Sequence, residues 1–190
     1  MVTVEHLPKP AIRAYPAQYV SRWTMKDGTQ VTIRPIRPED EPLMVKFHES
    51  LSDRSVHLRY FSSFSLSART APERLTRICF IDYEREMALV ADYEDASSGT
   101  QEILGVGRLS KLPGSNDAEV AVLVTDRYHQ RGLGAELLRR LVQVARDEQL
   151  DRIVAEMLQE NLAMQALAKR LGFRMVTSDD PALVRAVLNL

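Results

Sequence analysis

Apolar residues recur along the chain with two different periods, and the places where the period changes mark the elements. Val31 and Ile33 alternate with Thr32 and Arg34 after the turn Lys26-Asp27-Gly28-Thr29, which predicts a first strand. Leu43, Met44, Phe47 and Leu51 then follow helical spacing, behind the acidic, proline-containing start Pro38-Glu39-Asp40-Glu41-Pro42. Leu75, Ile78 and Cys79 repeat that spacing behind Thr70-Ala71-Pro72-Glu73, where Thr70 can cap and Glu73 can reach back. Between these helices, Ser52 to Phe61 is rich in hydroxyl, basic and aromatic groups and reads as a loop.

Three strands follow: Met87–Ala91, Ile103–Leu109 and Glu119–Val124, separated by turns at Ser98-Gly99 and Pro113-Gly114. From Leu133 the period turns helical, with Leu137, Leu138, Leu141, Val142 and Ala145 on one face. Ile153-Val154-Ala155 is a short buried strand. Met164, Leu167, Ala168 and Leu171 form a last helical stripe closed by Gly172. Phe173–Thr177 and Leu183–Leu188 read as a final strand pair around Ser178-Asp179-Asp180-Pro181. The order is β-α-α-β-β-β-α-β-α-β-β, a mixed sheet covered by helices in the α/β (α+β mixed-sheet) class. Residues 1–25, with Pro8, Pro10 and Pro16, read as an extended arm or linker, and 26–190 as one domain.

Composition narrows the class. The 190 residues suffice for one domain with its own core, and 45% hydrophobic with 27% charged residues describes a globular chain. Lys+Arg total 25 against 26 Asp+Glu, so no basic excess is present to hold nucleic acid or an anionic membrane. The single cysteine, Cys79, excludes an internal disulfide and a cysteine-rich zinc site. No apolar run approaches the roughly 20 residues of a membrane helix, and the opening MVTVEHLPKP lacks a signal peptide's apolar centre. The expectation is a cytoplasmic protein. No His or carboxylate pair has metal-ligand spacing, so no metal is expected.

The chemistry concentrates in one segment, from Glu119 through Thr125 and Arg127 to Arg131-Gly132-Leu133-Gly134-Ala135. A strand ends, a basic glycine turn follows, and a helix begins. Glycine allows positive φ and close approach to a ligand, and a new helix exposes unpaired N–H groups with partial positive charge. Such a turn suits a pyrophosphate; a plain strand-to-helix turn is the bland alternative. A Rossmann fingerprint would need a third glycine where Leu137 stands, and a Walker loop would need Gly-Lys-Ser/Thr. Gly105-Val106-Gly107 lies within a strand and reads as a bulge or close-packing feature.

Arg131-Gly132-Leu133-Gly134-Ala135, after Ala118-Glu119-Val120-Ala121-Val122, resembles the acetyl-CoA-binding motif of the GCN5-related N-acetyltransferases, the GNAT superfamily. Glu160-Asn161-x-x-Met164-x-x-Leu167-x-x-x-Leu171-Gly172-Phe173 resembles that superfamily's later asparagine-containing helix and its Gly-Phe exit. Asp27-Gly28-Thr29 through Arg34-Pro35-Ile36-Arg37-Pro38-Glu39-Asp40 is similar to the start of the GNAT domain of bacterial protein lysine acetyltransferases. The resemblance spans roughly residues 27 to 190 and implies the GNAT fold, with acetyl-CoA as cosubstrate. It implies cofactor contacts at Leu123, Val124, Thr125, His129, Gln130, Arg131, Gly132, Leu133, Gly134, Ala135 and Asn161, with a main-chain N–H near Leu123 as oxyanion donor. It implies Glu119 as the general base, a role that partial burial would favour.

Two positions depart from the family pattern. His129 stands where Gln or Arg is usual, and Ala168 stands where many members place a tyrosine that protonates the leaving thiolate. The resemblance further implies an acceptor that is a protein lysine, for example on an acyl-CoA synthetase, or a small amine. A regulatory domain in trans or a homodimer is compatible with it. A non-catalytic acyl-CoA sensor is the rival class, opposed by Glu119. His57, Arg59 and Tyr60 are candidates for the acceptor groove, and Asp179 and Asp180 either make a turn or attract a cationic acceptor. His48 reads as a surface residue and Cys79 as core.

Overall fold

The computed structural model describes residues 13–190. Eight strands form one sheet in the order β1-β2-β3-β4-β5-β6-β8-β7. The strands are β1 (Ser21–Thr24), β2 (Gln30–Pro35), β3 (Glu86–Glu94), β4 (Gln101–Lys111), β5 (Asp117–Val124), β6 (Arg152–Leu158), β7 (Arg174–Thr177) and β8 (Leu183–Asn189). Helices α1 (Glu41–Glu49), α2 (Asp53–Tyr60), α3 (Leu66–Arg69) and α4 (Pro72–Cys79) come between β2 and β3; α5 (Leu133–Asp147) joins β5 to β6, and α6 (Leu162–Arg170) joins β6 to β7. Every neighbouring pair is antiparallel except β5–β6, whose parallel pairing is what the α5 crossover requires.

Alternation along the strands builds a core on each face. Met87, Leu89 and Ala91 pack with α5 residues Leu133, Leu137, Leu138 and Leu141, whereas Ala88 and Val90 pack with Met44, Phe47, Val56 and Leu75 from α1, α2 and α4. Gly107 is a packing glycine: a β-carbon there would lie 2.8 Å from the Leu141 side chain, so its absence lets α5 settle on the sheet. Arg34 is buried and bridges Asp40, by two contacts of 2.6 and 2.7 Å, and Asp92 at 3.0 Å. Burial alone would discharge it, but these carboxylates outweigh that and raise its pKa.

Several sequence readings change. Residues 1–12 of the expected arm lie outside the described residues. Ser21–Thr24, read as arm, is instead an edge strand paired with β2, and its Trp23 packs against the core. A four-residue edge strand with one large apolar side chain carries too little periodicity to stand out. The expected loop after Ser52 is helix α2: the Ser52 hydroxyl accepts from Ser55 N at 3.2 Å, and only Ser55 and Val56 are buried, so the apolar stripe is almost absent. The Thr70 capping box is not formed. Thr70 Oγ1 donates back to Leu66 O at 2.9 Å, while α4 begins at Pro72 with no side-chain cap. His48 is buried, not on the surface. Among the described residues no helix is long and apolar enough to cross a membrane.

Candidate active site

Two open features of the fold meet where β5 ends. The first is the start of α5. Gly132 is its N-cap at φ +90°, a conformation that L side chains rarely adopt, and among the described residues no side chain caps the helix. The N–H groups of the first turn therefore have no intrahelical or capping partner, the condition under which a helix start can bind an anion. A β-carbon at Gly134 would lie 3.8 Å from Val124 and Leu167 and 3.9 Å from Val122, so this turn sits over the end of β5 and opposite α6.

The turn is held by residues far away in sequence. Arg131 pairs with Asp27, and its guanidinium lies 4.7 Å from the Tyr128 ring centroid. Lys26 N donates to Arg131 O at 3.3 Å, and the Lys26 side chain runs within 3.6 Å of the position a Gly132 β-carbon would take. The hairpin turn between β1 and β2 thus delivers a lysine to the start of α5. Sequence reasoning missed Lys26, because its only signal was the Asp-Gly turn that follows it. Asp126 also escaped notice. It accepts from Ser52 N, Ser52 Oγ and Ser55 Oγ at 2.9, 2.6 and 2.8 Å, tying the turn to α2. Partial burial pushes the Asp126 carboxyl up, but these hydrogen bonds and the neighbouring His129 outweigh it and hold it below the ordinary carboxylate value.

The second feature is a split in the sheet. β5 and β6 pair only from Asp117↔Arg152 to Glu119↔Val154, whereas β5 stays on β4 to Val124 and β6 stays on β8 to Leu158. Beyond Glu119 the two halves of the sheet part, and one edge of β5 is left without a strand partner. Thr125 N donates to Leu104 O at 2.9 Å on the β4 side. By the two-residue alternation of an antiparallel ladder, the Leu123 N–H also points to β4, and those of Val122 and Val124 point into the split. Near Leu123, the N–H groups free to act as the expected donor are therefore those of its neighbours Val122 and Val124. His129 Nε2 lies 2.9 Å from Val124 O, which can only accept, so the ring donates from Nε2 in this contact.

The remaining cofactor candidates fall around the same opening. Gln130 (φ +60°) is exposed on the turn, Leu133 contributes backbone alone because its side chain is in the core, and Ala135 lies in the first turn of α5. Thr125 is buried with Oγ1 unpartnered among the described residues. Asn161 caps α6: its Oδ1 accepts from Met164 N at 3.1 Å, leaving the amide NH₂ for a ligand. An uncapped helix terminus, a positive lysine and an unpaired strand edge fit the pyrophosphate and amide-bearing arm of acetyl-CoA.

On the α1/α2/α4 face of the sheet, the split opens beside a pocket of about 340 Å³. His48 of α1, Arg59 and Tyr60 of α2, Arg74 and Arg77 of α4, Arg108 of β4 and Glu119 of β5 line it. Arg59 and Tyr60 are thus where the resemblance implied, but His57 turns away to Glu160 Oε1 at 3.3 Å. Glu119 is exposed at the pocket wall, so the burial expected of it is not found. Asp179 and Asp180 are exposed in the β7–β8 turn and do not line this pocket; its charge is basic rather than acidic. Ala168 is fully buried on the inner side of α6. Among the described residues no group of three or more His, Cys, Asp or Glu is placed to hold a metal ion.

Comparison with known proteins agrees with this geometry. The family model described as "Acetyltransferase (GNAT) domain" matches residues 30–174. An acetyltransferase of Pseudomonas aeruginosa is 32% identical over 151 residues, 79% of this chain and 78% of that protein. The crystal structure of the GNAT domain of S. lividans PAT superimposes with a TM-score of 0.82 at 27% identity, covering 93% of this chain and all of that one. Mycobacterium smegmatis RimJ in complex with CoA-disulfide shares the fold, with a TM-score of 0.68 at 18% identity over 93% of this chain and 90% of that one.

Proposed function

The chain belongs to the GNAT acetyltransferase family, and from that premise we propose that it moves the acetyl group of acetyl-CoA to a primary amine, with Glu119 as general base. The observation that carries this reading is the split beyond Glu119↔Val154 with the uncapped start of α5 beside it. The thioester supplies the activated acetyl group. The α5 turn, Lys26 and Arg131 hold the diphosphate, and the Val122 and Val124 edge of β5 aligns the amide arm and offers an N–H to the developing oxyanion.

An amine arrives as ammonium, which has no lone pair to attack with. Glu119 takes one proton from it and, being exposed, passes that proton to bulk water. The neutral nitrogen then bonds to the thioester carbon, the carbon–sulfur bond breaks, and a second nitrogen proton reaches the thiolate through water. No tyrosine is needed for that last step, in keeping with Ala168. The balance is one ammonium and one thioester in, and one amide, one thiol and one proton out. This reading places the enzyme in the cytoplasm, where its one thiol, buried Cys79, stays unpaired.

Two acceptor readings have support. The opening motif's similarity to bacterial protein lysine acetyltransferases favours a protein lysine. The compact, half-open arginine-lined pocket favours a small amine. The test of the transfer itself is amine-dependent release of the CoA thiol, with the acetylated product located by mass spectrometry. Thiol release that no amine accelerates would overturn the reading.

A further inference from the structure

The pocket beside Glu119 carries positive charge that the protein itself does not neutralise. Four arginines and two glutamates line it, and one of those glutamates, Glu86, is spent on Arg108. Arg59, Arg74 and Arg77 have no carboxylate within ion-pair distance among the described residues. Arg74 donates to the Tyr60 hydroxyl at 3.2 Å and lies 5.4 Å and 5.1 Å from the Tyr60 and Phe64 ring centroids, and Arg59 lies 5.1 Å from the Tyr60 ring centroid. These aromatic contacts orient the guanidinium groups without cancelling their charge. Desolvation, with the Arg108 and Arg74 charges close by, pushes Arg59 below the ordinary guanidinium value.

The wall behind them holds further polar groups without partners. His48 is 2% exposed and lines the pocket, and neither ring nitrogen has a partner among the described residues. Arg69 is 4% exposed, with Nε and Nη1 likewise unpartnered. Proteins pair buried charge, and a concave cluster of unpaired cations is the pattern expected where a ligand supplies the counter-charge. The planar guanidinium fork matches a carboxylate or a phosphate.

From this arrangement we propose that the acceptor is a small amine that carries its own anion: a carboxylate or phosphate seated on Arg59, Arg74 and Arg77, with the amine presented to Glu119. The proposal rests on the acetyltransferase reading and names its acceptor class. A bare ammonium is repelled by these walls, whereas an amine with an attached anion is drawn in. Arg77, exposed at the mouth, meets the anion first, and Arg59 and Arg74, half-buried, hold it.

The experiment pairs acceptors that differ only in the anion: O-phosphoethanolamine against ethanolamine, β-alanine against its amide, and a lysine-containing peptide besides. Thiol release gives kcat/KM for each, and calorimetry gives the affinity of each in the presence of CoA. The expected result is at least about tenfold preference for the anionic member of a pair. The phosphate and carboxylate arms decide which anion the site takes. Arg74→Gln, and independently Arg77→Gln, should shrink that preference to about threefold or less through KM, with acetyl-CoA titration reporting that each variant is folded. Equal rates within both pairs, or a peptide lysine preferred to all, overturn the anionic acceptor and leave the acetyltransferase standing. Anion-dependent affinity that Arg74→Gln abolishes, without thiol release from any amine, keeps the anion site and overturns the acetyltransferase. Absence of anion-dependent affinity and rate together overturns the inference.

Discussion

The two faces of the sheet teach different lessons. On the α5 face, the turn proposed to hold the diphosphate is one continuous stretch, Arg131 to Ala135, on one strand-turn-helix unit. The anion affinity proposed for it rests mostly on backbone N–H groups, which any chain of that local shape would present. On the opposite face, the pocket draws its polar walls from α1, α2, α4, β3, β4 and β5, and its side chains, not its backbone, carry the charge. A site made of backbone in one segment tolerates side-chain changes such as His129. A site assembled from six elements depends on each side chain and on the packing that brings them together.

The sharpest test of this contrast is Glu119, where the two sites meet. Glu119→Gln keeps the shape and removes the proton acceptor, so the turnover number should drop on the order of 10²–10⁴-fold with acetyl-CoA affinity little changed. Single-turnover rates and calorimetric titration check both halves, and near-normal turnover would return Glu119 to an ordinary strand residue.

The basic pocket predicts a pH-dependent stability that the phosphate turn does not. Burial first, then the charges of Arg74, Arg69 and Arg108, lower the His48 pKa to about 4. An unfolded imidazole titrates near about 6.5. Between those values the unfolded chain binds a proton that the folded one refuses, so the His48 contribution favours folding above pH ~6.5 and is lost progressively as pH falls towards about 4. The full loss is on the order of 3 kcal/mol. Urea titrations across that range should show it, and His48→Leu should flatten the profile, since neither ring nitrogen has a hydrogen bond to lose among the described residues. An unchanged slope in the variant would mean that other groups carry it.

On the other face, Gly134→Glu should weaken acetyl-CoA binding at least about tenfold, roughly 1.4 kcal/mol. The first added carbon finds room at 3.8 Å from Val124 and Leu167, so the chain folds; the longer, negative side chain then enters the opening itself. Gly134→Ala, with the same backbone and no charge, should bind nearly as well as the parent. Equal affinity of the folded Glu variant would remove the assigned turn.

The smallest effect belongs to Lys26. Lys26→Gln removes one charge beside Gly132, and acetyl-CoA affinity should fall by about two- to fivefold at low salt. That difference should shrink as salt is added, because exposed charges are screened beyond about 8–10 Å at physiological strength. A salt-independent loss would point to packing of the lysine stem against the turn instead of its charge.

Much of this molecule was legible before folding was considered. The period-two runs of β2 to β5, the stripe of α5 and the Gly-x-Gly turn between them are local patterns, in which each residue's role follows from its neighbours in sequence, and they sufficed to locate the Arg131–Ala135 turn at the start of α5 and Glu119 on β5. Three things lay beyond that reading. Helix α2 buries only Ser55 and Val56, so it has almost no stripe, and its start is secured by Asp126, more than 70 residues away. The phase of β5, which turns Val124 rather than Leu123 into the split, depends on which of its edges β4 occupies. And the charge of the pocket beside Glu119 is hidden in a chain whose net charge is −1, because charge in a sequence is a sum, while charge in a pocket depends on which arginines the fold turns inward and which carboxylates it leaves outside.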